Sequence, residues 1–177
     1  MKHKLFSARE LCCIALFAAV IALSSWIAVP AAVPFTPQTF AVFFAVGLMG
    51  TKCGAAAVYV YILLGAVGLP VFSGFKGGIG VLFSVTGGYI IGFIPAVLLA
   101  GVLLKRFGKS LVSRMLCMGA GLALCYLFGS VWFSLLHGAS VKTALVTCVL
   151  PFIPFDAVKL FLAAAATQKM RKYICLK

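Results

Sequence analysis

Long apolar stretches, divided by short clusters of basic residues, glycine or proline, set the pattern of this chain. Residues 11–29 are apolar and carry no charge. A helix rising 1.5 Å per residue needs roughly 20 such residues to cross a bilayer core. Pro30, Pro34 and Pro37 then predict a rigid loop over 31–38. Apolar runs resume at 39–50 and 54–67, with Lys52 marking a turn between them. Both are short for a crossing, which predicts helices that are tilted or shielded by neighbours. Residues 68–80, GLPVFSGFKGGIG, hold too much glycine and proline for a regular helix. Irregular backbone at membrane depth is tolerated where protein buries it or where it lines a cavity. Further helices are expected over 85–104, 115–136 and 151–168, the last with Pro151 or Pro154 in its first turn. The pattern predicts an all-α integral membrane protein, a single domain over 1–177. Its six transmembrane helices would carry a Gly-rich extracellular loop between helices 3 and 4. The first run lacks a small-x-small cleavage site and reads as a retained span.

Composition sharpens this picture. Hydrophobic residues are 64% of the chain and charged ones 10%, against roughly 45–50% apolar and 25% charged in soluble domains. The net charge of +13 raises the question of nucleic acid. The basic residues form no continuous stripe with interleaved aromatics, so no nucleic-acid partner is expected. With six spans, Lys2, Lys4, Arg9, Lys52, Lys105, Arg106, Lys109, Arg114, Lys169, Arg171, Lys172 and Lys177 fall on one side, and only Lys76 and Lys142 on the other. Basic residues mark cytoplasmic loops. The split predicts a multi-pass protein of the cell membrane with both termini cytoplasmic, its basic loops near anionic lipid.

Few residues can carry chemistry. Asp156 is the only acid besides Glu10, and it lies in an apolar segment. A carboxylate within a span costs about 2.5–3.5 kcal/mol on insertion scales, and such groups are functional by default. Lys159 follows at i+3 on the same helix face. The pair is either an ion pair that eases insertion or a polar site facing a cavity. Gly88 and Gly92 form a G-x-x-x-G pair that lets helices approach closely, with Thr86 and Tyr89 as polar groups beside it. Ala15 and Ala19, and Ala18 and Ala22, are spaced by four and predict a flat face on the first helix. Seven cysteines at irregular spacing suggest neither disulfides nor zinc. His3 and His137 have no second metal ligand near them in sequence, so no metal is expected. Gly78-Ile-Gly80 lacks the third glycine of a nucleotide fingerprint, and no Walker motif occurs. Neither a cofactor nor ATP hydrolysis is expected of this chain, and enzymatic activity is disfavoured.

Four segments in order, VPFTPQT at 33–39, GAVGLPVF at 65–72, TGGYIIGF at 86–93 and PFIPFDAVK at 151–159, resemble the BioY family. These are the biotin-specific S components of energy-coupling-factor (ECF) transporters. Phe155 departs from the resemblance, standing where a small residue is expected before the aspartate. The resemblance implies six helices that capture biotin from outside, working with a transmembrane coupling protein and two ATPase subunits. It implies that Ala15, Ala18, Ala19 and Ala22 meet the coupling protein. In the pocket so implied, Asp156 accepts from the ureido N–H groups and Lys159 neutralises the carboxylate or orients Asp156. Gln38, Thr86 and Tyr89 complete the polar contacts, Phe35 and Phe72 form apolar walls, and the loop with Gly77 and Gly78 closes over the ligand. The alternatives are an S component for another vitamin, such as riboflavin or thiamine, or a small membrane enzyme with Asp156 as base.

Overall fold

The computed structural model describes residues 6–29, 34–138 and 140–171. His3, Cys175, Pro30 and the basic residues Lys2, Lys4, Lys172 and Lys177 lie outside them, as do residues 31–33 of the 31–38 loop. The described residues are helical, with only two isolated backbone bridges, Val29 to Phe35 and Phe72 to Lys76.

Helix α1 (Ala8–Trp26) starts three residues before its apolar run because Ser7 and Glu10 form a capping box. The Glu10 carboxylate accepts from the Ser7 amide at 2.7 Å, and Ser7 Oγ accepts from the Glu10 amide at 3.3 Å. The alanine stripe of α1 straddles the edge of its packed face. Ala18 and Ala22 are buried in the core, whereas Ala15 and Ala19 are exposed. The expectation that all four face a partner is therefore corrected: α1 packs extensively on the next helix, and Ala18 and Ala22 are enclosed in this chain's own core.

Helix α2 (Gln38–Ala66) is helical except at Gly50, where φ is 81° and ψ is 177° and the chain reverses. Only glycine adopts that conformation readily. The two arms, 38–49 and 51–66, lie against one another. A Cβ placed on Gly54 would be 2.6 Å from Val46 Cα, whereas eight residues of one straight helix span about 12 Å. The two short runs of the sequence are thus two antiparallel arms. They are also the most enclosed of the spanning segments, which is why short lengths suffice.

The Gly-rich stretch contains a one-turn helix, α3 (Ile79–Leu82), where the pattern predicts only irregular backbone. Then come α4 (Gly87–Phe107) and α5 (Leu111–His137), capped by Ser110, whose hydroxyl accepts from the Ser113 amide. Their crossing is the most extensive in the fold. Glycines on both sides permit it: a Cβ on Gly88 would meet Trp132 Cβ at 2.2 Å, and one on Gly129 would meet the Tyr89 ring at 2.2 Å. Helix α6 (Val141–Cys148), capped by Ser140, forms where the hydropathy pattern predicts none. At eight residues it is too short to register as a span. A 3₁₀ turn (Leu150–Phe152) leads into α7 (Ile153–Met170), with Pro151 and Pro154 each in a first turn.

Five helical runs are long and apolar enough to cross a membrane, and the folding back of α2 turns five into six crossing segments. Leu16, Leu23, Leu116, Val131 and Leu135 are among the large apolar side chains left exposed on their outer faces. Lipid covers such a surface; water would not tolerate it.

Candidate binding cavity

A cavity of about 510 Å³ lies at the end of the bundle that carries the Gly-rich loop. Its size is within the range of small-molecule sites, roughly 300–1,000 Å³. Its walls come from every long helix but α1: Pro34 and Thr36 before α2, Gln38 and Tyr61 on its two arms, Phe72, Ser73 and Lys76 in the loop, Thr86, Tyr89, Ile90 and Phe93 at the start of α4, Leu122, Cys125 and Tyr126 on α5, Cys148 ending α6, and Asp156 and Lys159 on α7.

Asp156 is 3% exposed. Its carboxylate accepts from Lys159 Nζ at 2.7 Å and from the Tyr126 hydroxyl. Lys159 Nζ also donates to the Thr36 carbonyl at 2.7 Å and sits 4.0 Å above the centre of the Phe35 ring. Burial would cost an isolated charge several kcal/mol, and pairing with further hydrogen bonds offsets that cost. The ammonium thus holds the segment entering α2 against α7.

Four buried side-chain polar atoms of cavity-lining residues, Gln38 Nε2, Tyr61 Oη, Ser73 Oγ and Tyr89 Oη, make no well-formed hydrogen bond among the described residues, although Tyr61 lies near Gln38 and Ser25, and Tyr89 near Ser130. Native proteins satisfy nearly all buried polar groups. All four belong to residues that line this one cavity.

Of the residues expected from sequence, Asp156, Lys159, Gln38, Thr86, Tyr89 and Phe72 converge on the cavity; Phe35, Gly77 and Gly78 do not line it. Phe35 instead packs under Lys159 and against Phe152 and Phe155. Phe155, the residue that departs from the resemblance, points away and is exposed. Gly77 and Gly78 shape the loop. A Cβ on Gly77 would meet the Leu69 carbonyl oxygen at 2.3 Å, and Gly78 (φ 96°) donates its amide to the Gly65 carbonyl at 2.7 Å. The loop is tied to α1 by Ser25 Oγ donating to the Val71 carbonyl and Trp26 Nε1 to the Pro70 carbonyl. Sequence reasoning missed Tyr61, Ser73 and Tyr126. Nothing in spacing links Tyr126 to Asp156, thirty residues away, and a tyrosine in an apolar run reads as core.

Comparison with known proteins agrees with this arrangement. The sequence pattern of the BioY family matches residues 1–175. The biotin transporter BioY of Thermotoga maritima is 39% identical over 166 residues, covering 93% of this chain and 96% of that protein. BioY of Rhodobacter capsulatus is 32% identical over 179 residues, covering 93% and 94%. The crystal structure of the S-component for biotin from an ECF-type ABC transporter superposes with a TM-score of 0.87 at 26% identity, covering 93% of this chain and 91% of that one.

Proposed function

The chain belongs to the BioY family, and on that footing we propose that it is the biotin-capturing membrane subunit of a vitamin transporter. The observation that carries this reading is the cavity, whose largely apolar wall carries one buried ion pair and the polar residues Gln38, Tyr61, Ser73 and Tyr89. Biotin matches that chemistry. It has an apolar bicycle, a ureido group that both donates and accepts, and a carboxylate tail.

Asp156 accepts from the ureido N–H groups in this reading, with Tyr126 and Lys159 fixing its two oxygens. Lys159 supplies positive charge, and Lys76 in the loop is a second cation within reach of the cavity for the carboxylate. Gln38, Tyr61, Ser73, Thr86 and Tyr89 offer the remaining polar contacts, and Phe72, Ile90, Phe93 and Leu122 form the apolar surface. Phe35, Gly77 and Gly78 act one step back, the first under Lys159 and the others in the turn that places Lys76.

The chain acts as one domain, with both termini on the cytoplasmic side and the cavity opening outward. A transmembrane coupling protein and two ATPases supply the energy, and the exposed part of the α1 stripe, Ala15 and Ala19, is where the coupling protein docks. The relatives are transporters by name, and transport without chemical change suits a site with one carboxylate and no second acid. Thermal-shift measurement against biotin, riboflavin and thiamine tests the ligand. Only the true ligand should stabilise the fold strongly. A response to riboflavin or thiamine in place of biotin would assign the cavity to another vitamin.

A further inference from the structure

The unpartnered buried polar atoms fall into two groups. One lines the cavity; the other lies at the opposite end of the bundle and includes Arg114 Nε, Arg114 Nη1 and Thr167 Oγ1. Arg114 is 7% exposed. Guanidinium cannot shed its charge in a protein, so this is a buried cation. The chain offers it no side-chain carboxylate. Its only acids are Glu10, which closes the cap of α1 with Ser7, and Asp156, which is held by Lys159 and Tyr126.

A second cation stands beside it. Thr167 on α7 and Met118 on α5 both converge on Gly47, 2.6 and 2.8 Å from where its Cβ would be. Arg114 and Arg171 each lie four residues further along those helices, one turn nearer the bundle end. Helices α5 and α7 pack against each other, which puts the two positive charges at the same end of the bundle. A buried ion without its counter-ion is strongly unfavourable; among the described residues Arg114 has none, and the exposed Arg171 adds a second positive charge nearby.

We infer that Arg114 and Arg171 form a binding site for a phosphate group, supplied by the headgroup of an anionic membrane lipid. Arginine matches phosphate oxygens with paired N–H donors. The lipid source follows from the surroundings. Arg114 is in the first turn of a spanning helix, where headgroups are expected, and its neighbours Val112 and Leu116 are 64% and 70% exposed on the outer surface. Lys105 and Arg106 in the last turn of α4, with Lys109 in the connection after it, draw anionic lipid to that face. The Arg114 amide is used by the Ser110 carbonyl at 3.0 Å and the Ser113 amide by Ser110 Oγ at 3.2 Å. The α5 cap is therefore complete, and the site depends on the side chains. The lipid enters by a shift of the Arg114 side chain toward the surface.

The test uses the full-length protein in detergent, with phosphatidylglycerol, phosphatidylcholine or inorganic phosphate added. Native mass spectrometry should show phosphatidylglycerol retained by the wild type and phosphatidylcholine lost. Phosphatidylglycerol should raise Tm by about 5–10 °C. Arg114→Gln and Arg171→Gln should each abolish both effects, while Lys109→Gln retains them. Without anionic lipid, Arg114→Gln should be at least as stable as the wild type, since it removes an unpaired charge. Equal retention of the two lipids by the wild type would overturn the site, as would an Arg114→Gln protein that still takes phosphatidylglycerol. Stabilisation by inorganic phosphate alone would replace the lipid with a soluble anion. If only the coupling protein abolishes the difference between wild type and Arg114→Gln, the counter-charge is a partner carboxylate and the lipid reading fails. Biotin binding is measured on the same samples and does not depend on any of these outcomes.

Discussion

Asp156 receives hydrogen bonds from two elements, Lys159 on its own helix and Tyr126 on α5, so each partner can be removed separately. Tyr126→Phe deletes one donor to a charged acceptor, an interaction of about 1.5–3 kcal/mol. Biotin affinity by calorimetry should fall by roughly tenfold to a hundredfold, and Tm should fall by roughly 3–10 °C, since the same bond ties α5 to α7. An unchanged affinity would make Tyr126 a packing residue only. Phe35→Leu keeps apolar bulk but loses the cation–π contact with Lys159, about 1 kcal/mol, and should weaken biotin about fivefold. Asp156 and Lys159 were legible from sequence because a charge in an apolar run is conspicuous. Tyr61, Ser73 and Tyr126 were not. Their roles come from partners far along the chain, which no local spacing records. Phe35 was placed in the right region with the wrong contact, since sequence proximity to Gln38 says nothing of which way a ring points.

Among the elements, the glycines set what the helices can do. A Cβ on Gly65 would stand 2.1 Å from the Phe72 ring, so Gly65→Ala should displace that ring from the cavity wall. The expected result is weaker biotin binding in calorimetry together with a lower Tm. Gly129→Ala drives a methyl into the Tyr89 ring, and overpacking of this kind costs typically about 1–3 kcal/mol. The thermal midpoint should fall by roughly 3–10 °C. On α1, Ala18→Leu should destabilise the fold, because Ala18 is buried against α2. Ala15→Leu and Ala19→Leu should leave biotin binding intact and reduce co-purification with the coupling protein. The six-helix pattern was readable from the apolar runs, and the turn at Lys52 was off by two residues from the reversal at Gly50. Helix α6 was unreadable, because eight residues with a serine cap carry no span-length signal. The alanine stripe was visible, but its division into a packed and an open half depends on where α2 lies.

For the whole molecule, charge and apolar surface decide how it sits. The acyl region surrounds a belt of exposed leucine, valine and phenylalanine. Both membership in the family and the multi-pass architecture follow from features spread along the chain, which is why they were legible before any geometry. Orientation rests on the lysine and arginine split alone. A membrane-impermeant maleimide applied to intact cells should label Lys142→Cys and leave Lys109→Cys untouched until the cells are permeabilised; site-resolved mass spectrometry reads the difference. The reverse labelling would invert the topology and place the cavity on the cytoplasmic side.

The two ends of the bundle carry different unsatisfied groups, polar atoms around a cavity at one and guanidinium at the other. The capture site is tested most directly by isothermal titration of the purified protein with biotin, repeated on Asp156→Asn. Biotin should bind the wild type at one site. The variant should bind it at least about a hundredfold more weakly, because breaking a buried charge pair costs about 3–5 kcal/mol. Undiminished affinity in Asp156→Asn would remove the carboxylate from the site, and no biotin binding by the wild type would contradict biotin capture altogether.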